Sequence, residues 1–224
     1  YRFLHNGRIA ESNELPSGAT LLPPVVPSKI VCVGRNYADH AKELGNEAPT
    51  EPILFLKPPS ALLAPEGTIV RPPQSQLVHH EAELAIVIGR EAKNVKAANW
   101  RDFVRGFACA NDVTARDLQR KDVQFTRGKS FDTFCPIGPY IDTDVDPSDL
   151  RIVARVNGQV RQDGRTSQMI FPPAFLLEFI TSIMTLVAGD VILTGTPAGV
   201  GSLEAGDTSE VEIENLGVLR NAVA

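Results

Sequence analysis

The chain has 224 residues, 22 Lys+Arg against 27 Asp+Glu and a formal net charge of −5. That length is enough for one large or two small domains with a real core, and 43% hydrophobic with 22% charged residues excludes a disordered segment or a coiled coil. The acidic balance argues against nucleic acid as a partner, and no apolar run reaches the roughly 18 residues a membrane span needs.

Residues 1–28 end in the proline-rich LPPVVPS and read as a short arm on a main body that occupies 29–224. No basic-then-apolar leader follows Tyr1, and Cys32, Cys109 and Cys135 form no CxxC pair, so a reducing, cytoplasmic setting is the default. Seventeen Gly and seventeen Pro favour many short strands and turns over a helical bundle. KIVCVG (29–34) is an apolar run closed by glycine. NYADHAKELG (36–45) reads as a helix, with Asn36 as its cap and Gly45 as its stop. ILFLK (53–57) is a second apolar run, stopped by Pro58-Pro59, and ELAIVIG (83–89) is the strongest strand signal. Further helices are expected over 99–106, 114–124 and 173–186, the last apolar nearly all round, as a helix packed into the core would be. RIVARVNGQVRQDG (151–164) alternates around Asn157-Gly158, the strongest short hairpin signal. GDVILTG (189–195) and SEVEIENLGVLRNAVA (209–224) complete a β-rich second half.

Several of these segments carry residues capable of chemistry. On a strand, Glu81 and Glu83 share one face with His79, while His80, Ala82, Leu84, Ile86 and Ile88 take the other. Two adjacent carboxylates repel and are costly to bury without a cation; a metal removes that cost, and a solvent-exposed strand end is the alternative. Asp112, in CANDVTARD, offers a third carboxylate, since an all-oxygen site selects Mg²⁺, Mn²⁺ or Ca²⁺ over zinc. Its alternative is a helix N-cap, and Asp117 is the competing third acid. His40 and Glu43, at i and i+3, can meet on a helix face so that one imidazole nitrogen is held and the other is a base; a plain surface pair is the alternative. GTPAGVG (195–201) is neither a Walker loop nor GxGxxG, yet its amides and Thr196 could hold a carboxylate, unless it is a bare glycine turn. Lys57, Arg116 and Lys129 lie beside these segments and suit an anionic substrate, or are solvated charges.

Taken in order, VCVGRNYADHAKELG, PILFLKPPSAL, VHHEAELAIVIG, NDVTARDLQ, GKSFDTFCPIGP, VNGQVRQDGRTSQMIF and GDVILTGTPAGVG resemble the fumarylacetoacetate hydrolase family, in its short, single-domain, acylpyruvase-like branch. The resemblance implies an α+β, strand-dominated fold, a mixed roll around a barrel-like sheet with a few short helices, and commonly a homodimer. It implies Mg²⁺ or Mn²⁺ on Glu81, Glu83 and Asp112, with His40 and Glu43 as the catalytic dyad and Lys129 as the active-site lysine. Arg116, Gln119 and Thr196 face a small anionic 2-oxo acid in that reading. Two-domain members of the family have a further ligand aspartate where Val33 stands here, so three protein ligands are expected. With the dyad complete, hydrolysis of the C–C bond of an acylpyruvate such as fumarylpyruvate is the expected reaction. Isomerisation or decarboxylation of 2-hydroxyhepta-2,4-diene-1,7-dioate in aromatic catabolism, decarboxylation or tautomerisation of oxaloacetate, and a non-catalytic dicarboxylate-binding module are the alternatives. The segment 36–45, glycine-flanked and carrying the dyad, is expected to act as a lid.

Overall fold

The computed structural model describes residues 21–224 in full and, ahead of them, the backbone of two paired strands, β1 (Arg2–His5) and β2 (Arg8–Glu11). The rest of the expected arm, residues 1, 6–7 and 12–20, lies outside the described residues. The elements then run β3 (Ile30–Gly34), α1 (Ala38–Glu43), β4 (Ile53–Lys57), β5 (Leu62–Leu63), β6 (Thr68–Ile69), β7 (Val78–His80) and β8 (Ala82–Ile88). After these come β9 (Val104–Asn111), β10 (Thr114–Ala115), α2 (Arg116–Lys121), α3 (Thr126–Lys129), β11 (Cys135–Asp142), β12 (Arg151–Val156) and β13 (Gln159–Arg165). The chain closes with α4 (Pro173–Ile183), β14 (Val191–Leu193), β15 (Gly201–Ser202), β16 (Thr208–Ile213) and β17 (Gly217–Val223).

The fold is α+β and strand-dominated. A seven-stranded mixed sheet has the order β4-β3-β14-β8-β9-β11-β5, a five-stranded sheet β13-β12-β16-β17-β6, and a small sheet β10-β7-β15. The large sheet is curled, as its side-chain alternation shows. Ile30 and Cys32 of β3 share one buried cluster with Ala85 and Val87 of β8, Ala108 and Ala110 of β9, and Cys135 and Ile137 of β11. Strands that far apart in the order meet only if the sheet wraps around them, and the short Ala and Cys side chains leave room for a tight curl. The opposite face, through Leu84, Ile86, Ile88 and Phe107, packs on Ile152, Val211 and Ile213 of the five-stranded sheet and on Leu176, Leu177 and Ile180 of α4. β8 is therefore buried on both faces, and its near-continuous apolar run follows from that.

The hairpin at Asn157-Gly158 forms as expected, with φ of 53° and 75°, the left-handed pair that such a two-residue turn demands. Three helix expectations are corrected. Residues 99–106 are a short 3-10 stretch, Ala97–Phe103, followed by β9, whose pairing with β8 outweighs the local helical signal. Of 114–124, Thr114–Ala115 pairs with β7 as a strand and only Arg116–Lys121 is helical. α4 ends at Ile183 and buries one face only: Phe175 and Ile183 are exposed, and Phe175 stacks between Phe171 and Phe179. No helix of the described residues is long and apolar enough to cross a membrane. Cys32, Cys109 and Cys135 are all buried and unbridged.

Asp190 fastens two parallel neighbours, β3 and β14, at their starts. Its carboxylate accepts from the Ser28 amide and hydroxyl, the Lys29 amide and ammonium, and the Val187 amide. Burial pushes its pKa up, but the hydrogen bonds from Lys29, Val187 and Ser28 outweigh burial and leave it below the ordinary value. A depressed carboxyl stabilises the fold above its unfolded pKa, and that contribution fades as the pH falls through the native value. Asp190→Asn should therefore lower the urea midpoint at pH 7, with the gap to the parent closing below about pH 4; a gap that persists unchanged at pH 3 would contradict this.

Candidate active site

The alternation that packs Ala85 and Val87 inside the curl puts Glu83 on the same face, and Glu81 lies just ahead of β8. Asp112 follows Ala108 and Ala110 on the neighbouring strand in the same way. The chain is pinned there, since the Asp112 amide donates to Glu81 O and the Glu81 amide to Asn111 Oδ1. At the mouth of the curl, one carboxylate oxygen from each of the three lies within 4.8 Å of the others, and all three side chains are buried.

Cations surround this cluster unevenly. Lys57 Nζ donates to Asp112 Oδ1 at 2.6 Å, and Lys129 Nζ donates to Asp112 Oδ2 at 2.6 Å and to Glu81 Oε2 at 2.7 Å. Arg116 donates to Glu81 Oε1 and to Gln119 Oε1. Burial alone would raise the Glu81 pKa, but Lys129 and Arg116 reverse that and hold it well below the carboxylate range. Among the described residues, Glu83 receives only the Gly195 amide, at 2.7 Å on Oε2. Burial first, then the charges of Asp112 and Glu81, push its pKa well up. A buried carboxylate left short of positive charge beside two others fits a hard divalent cation, and the donor set is all oxygen. Glu81, Glu83 and Asp112 are the residues that would hold it.

α1 carries the His40–Glu43 pair. His40 is buried, and its Nδ1 lies 3.1 Å from Glu43 Oε2. A carboxylate only accepts, so Nδ1 is the donor in this pair and Nε2 is the ring nitrogen left to face the cavity chemistry. Glu43 Oε1 accepts the Gly199 amide at 3.0 Å, tying α1 to the 195–201 turn. Gly45, with φ of 74°, ends the helix as expected. His40, Glu81, Glu83, Asp112, Arg116, Gln119, Lys129 and Thr196 all line one cavity of about 380 Å³.

Several expectations change in detail. Lys57 does not line the cavity; it lies behind Asp112 and also donates to Val113 O, so in this structure its ammonium positions Asp112. Asp112 caps no helix, because α2 starts four residues later, after Ala115. Asp117 accepts from Ser75 Oγ and the Gln76 amide, fastening a turn outside the cluster. The Thr196 hydroxyl is engaged, donating to Ala82 O and accepting from Gln162 Nε2, both at 2.7 Å. Gly195 has φ of 93°, and a Cβ there would lie 2.7 Å from Asn36 Cβ, so the turn's glycine is required by both conformation and space. His79 shares the face of Glu81 and accepts from Arg116 Nε; burial and then Arg116 lower its pKa to about 4 and keep it neutral.

One residue has a different role from the one expected, and one was not singled out in the sequence. Asn36 does not cap α1: it donates to Phe171 O and Thr194 O and accepts the Phe171 amide, anchoring the loop before His40. Gln162 is fully buried in β13. Its Nε2 donates to Thr196 Oγ1 and Pro197 O, while its Oε1 accepts the Ala82 amide and lies 3.1 Å from His80 Nδ1. The only signal for it was a polar residue on the inward face of a hairpin strand. Gln162→Ala strands several buried polar groups and should cost about 3 kcal/mol; a urea midpoint within error of the parent's would refute that weight.

Residues 29–224 match the fumarylacetoacetate (FAA) hydrolase C-terminal domain. The chain is 48% identical over 220 residues to the human mitochondrial oxaloacetate tautomerase, covering 92% of this chain and 70% of that one. A crystal structure of 5-carboxymethyl-2-hydroxymuconate delta-isomerase from Mycobacterium smegmatis superposes with a TM-score of 0.89 at 49% identity, over 96% of this chain and 86% of that one. A fumarylacetoacetate hydrolase from psychrophilic Exiguobacterium antarcticum follows at 0.86 and 44%, over 93% and 79%. With the matched stretch spanning every residue of the cluster and the dyad, the chain belongs to the fumarylacetoacetate hydrolase family and is an enzyme of that family.

Proposed function

We propose that the enzyme moves a proton at the carbon next to the oxo group of a small 2-oxo acid, interconverting its keto and enol forms. The observation that carries this reading is the His40–Glu43 dyad set on the same cavity as the three carboxylates. Mg²⁺ or Mn²⁺ suits this oxygen donor set, and a bound divalent cation supplies Lewis-acid polarisation of the oxo group. His40 Nε2 takes the proton from the carbon, Glu43 stabilises the imidazolium, and the imidazolium returns the same proton to the oxo oxygen to complete the enol, the reverse order giving the keto form. Lys129 is fully buried, which alone favours the neutral amine; Asp112 and Glu81 more than reverse this and hold it charged. It therefore serves as a fixed positive charge beside the developing oxyanion and not as an acid. The residues named suffice for proton transfer at one carbon, and the tautomerase and isomerase names of the relatives above agree with it.

Hydrolysis of an acylpyruvate is the second reading, favoured by the same dyad, since His40 could equally deprotonate a water. The test is ultraviolet loss of enol with Mg²⁺ present, run on oxaloacetate, an acylpyruvate and the heptadienedioate. Faster ketonisation of oxaloacetate without cleavage of the acylpyruvate is expected. Cleavage would favour the second reading, and acceleration of none would overturn both.

A further inference from the structure

The cavity's cations fall into two groups. Lys129 and Arg116, with Lys57 behind them, are bonded to Glu81 and Asp112, so the cations of the inner site are already paired. Arg35 and Arg120 line the same cavity, and among the described residues neither side chain makes a hydrogen bond or an ion pair. The acid beside them on that wall, Asp122, is taken by Arg127, at 2.8 Å to Nε and 2.5 Å to Nη2. The outer wall thus keeps two uncompensated positive charges.

Arg35 is also held in place at a conformational cost. Its φ is 58°, in the left-handed region that disfavours side chains larger than glycine. On one side β3 is paired to its end at Gly34; on the other Asn36 is buried and locked by three hydrogen bonds. The turn between them leaves Arg35 half-buried on the cavity wall.

We propose that Arg35, with Arg120 at the cavity mouth, forms the subsite for the second carboxylate of a 2-oxo dicarboxylate. The inference rests on the 2-oxo acid reading and adds to it the residues that select dicarboxylates over monocarboxylates. Guanidinium groups suit this role, since each offers a fork of donors to a carboxylate.

The test compares two probes by calorimetry with Mg²⁺. Oxalate carries only the inner, adjacent oxygens; 3,3-difluoro-oxaloacetate adds the distal carboxylate and has no proton to lose at C3. Arg35→Gln should weaken the diacid about tenfold or more, as for a lost charge-assisted hydrogen bond, and leave oxalate within about twofold. Arg120→Gln, at an exposed position, should act in the same direction and serves if the strained Arg35 position tolerates no change. Equal weakening of both probes, or unchanged diacid binding in both variants, would overturn the proposal. Failure of the parent protein to bind either probe would overturn the 2-oxo acid reading and this subsite with it.

Discussion

Asp112→Ala should destabilise the fold by about 3–5 kcal/mol and abolish divalent-metal binding. The side chain is buried and is the shared partner of two buried ammonium groups, Lys57 and Lys129. Its loss leaves Lys57 with only the Val113 carbonyl, and an uncompensated charge in a low-dielectric site costs far more than a lost surface pair. Chemical denaturation and Mg²⁺ or Mn²⁺ calorimetry measure the two effects separately. Adding Lys57→Met should return part of the stability and none of the metal affinity. If the single variant folds as well as the parent and binds metal equally, the three carboxylates are not the metal site.

His40→Ala should lower kcat by about 10²–10⁴-fold while leaving metal affinity and stability close to the parent's. The imidazole lines the cavity but gives no bond to Glu81, Glu83 or Asp112; among the described residues its partner is Glu43. Glu43→Gln should cost less in turnover, because an amide can still accept from Nδ1 but stabilises the imidazolium poorly. A His40→Ala variant that turns over at the parent rate would remove the dyad from the mechanism and leave proton transfer to another group.

The sequence was most informative where one physical constraint dominates. Alternation placed Glu81 and Glu83 on one face, and the structure shows that face to be the concave one. Asn157-Gly158 announced its turn because only positive φ closes it. The helices over 99–106 and 114–124 were misread because strand pairing with β8 and β7, a long-range interaction, overrides local propensity. Lys57 and Lys129 look alike in sequence; only the third dimension shows one behind Asp112 and the other in the cavity. Asn36, expected as a helix cap, and Gln162, not singled out, differ from expectation for the same reason. Each satisfies backbone groups more than 30 residues away, at Phe171 and Thr194 for the first and at Ala82 and Pro197 for the second.

The measurement that bears most directly on the central claim is solvent-deuterium incorporation at C3 of oxaloacetate, followed by NMR with Mg²⁺ present. The parent protein should exchange the C3 protons well above the rate with Mg²⁺ and buffer alone, and His40→Ala should return it to that background. Exchange by the parent at the background rate, or undiminished exchange by His40→Ala, would contradict a proton transfer carried by His40.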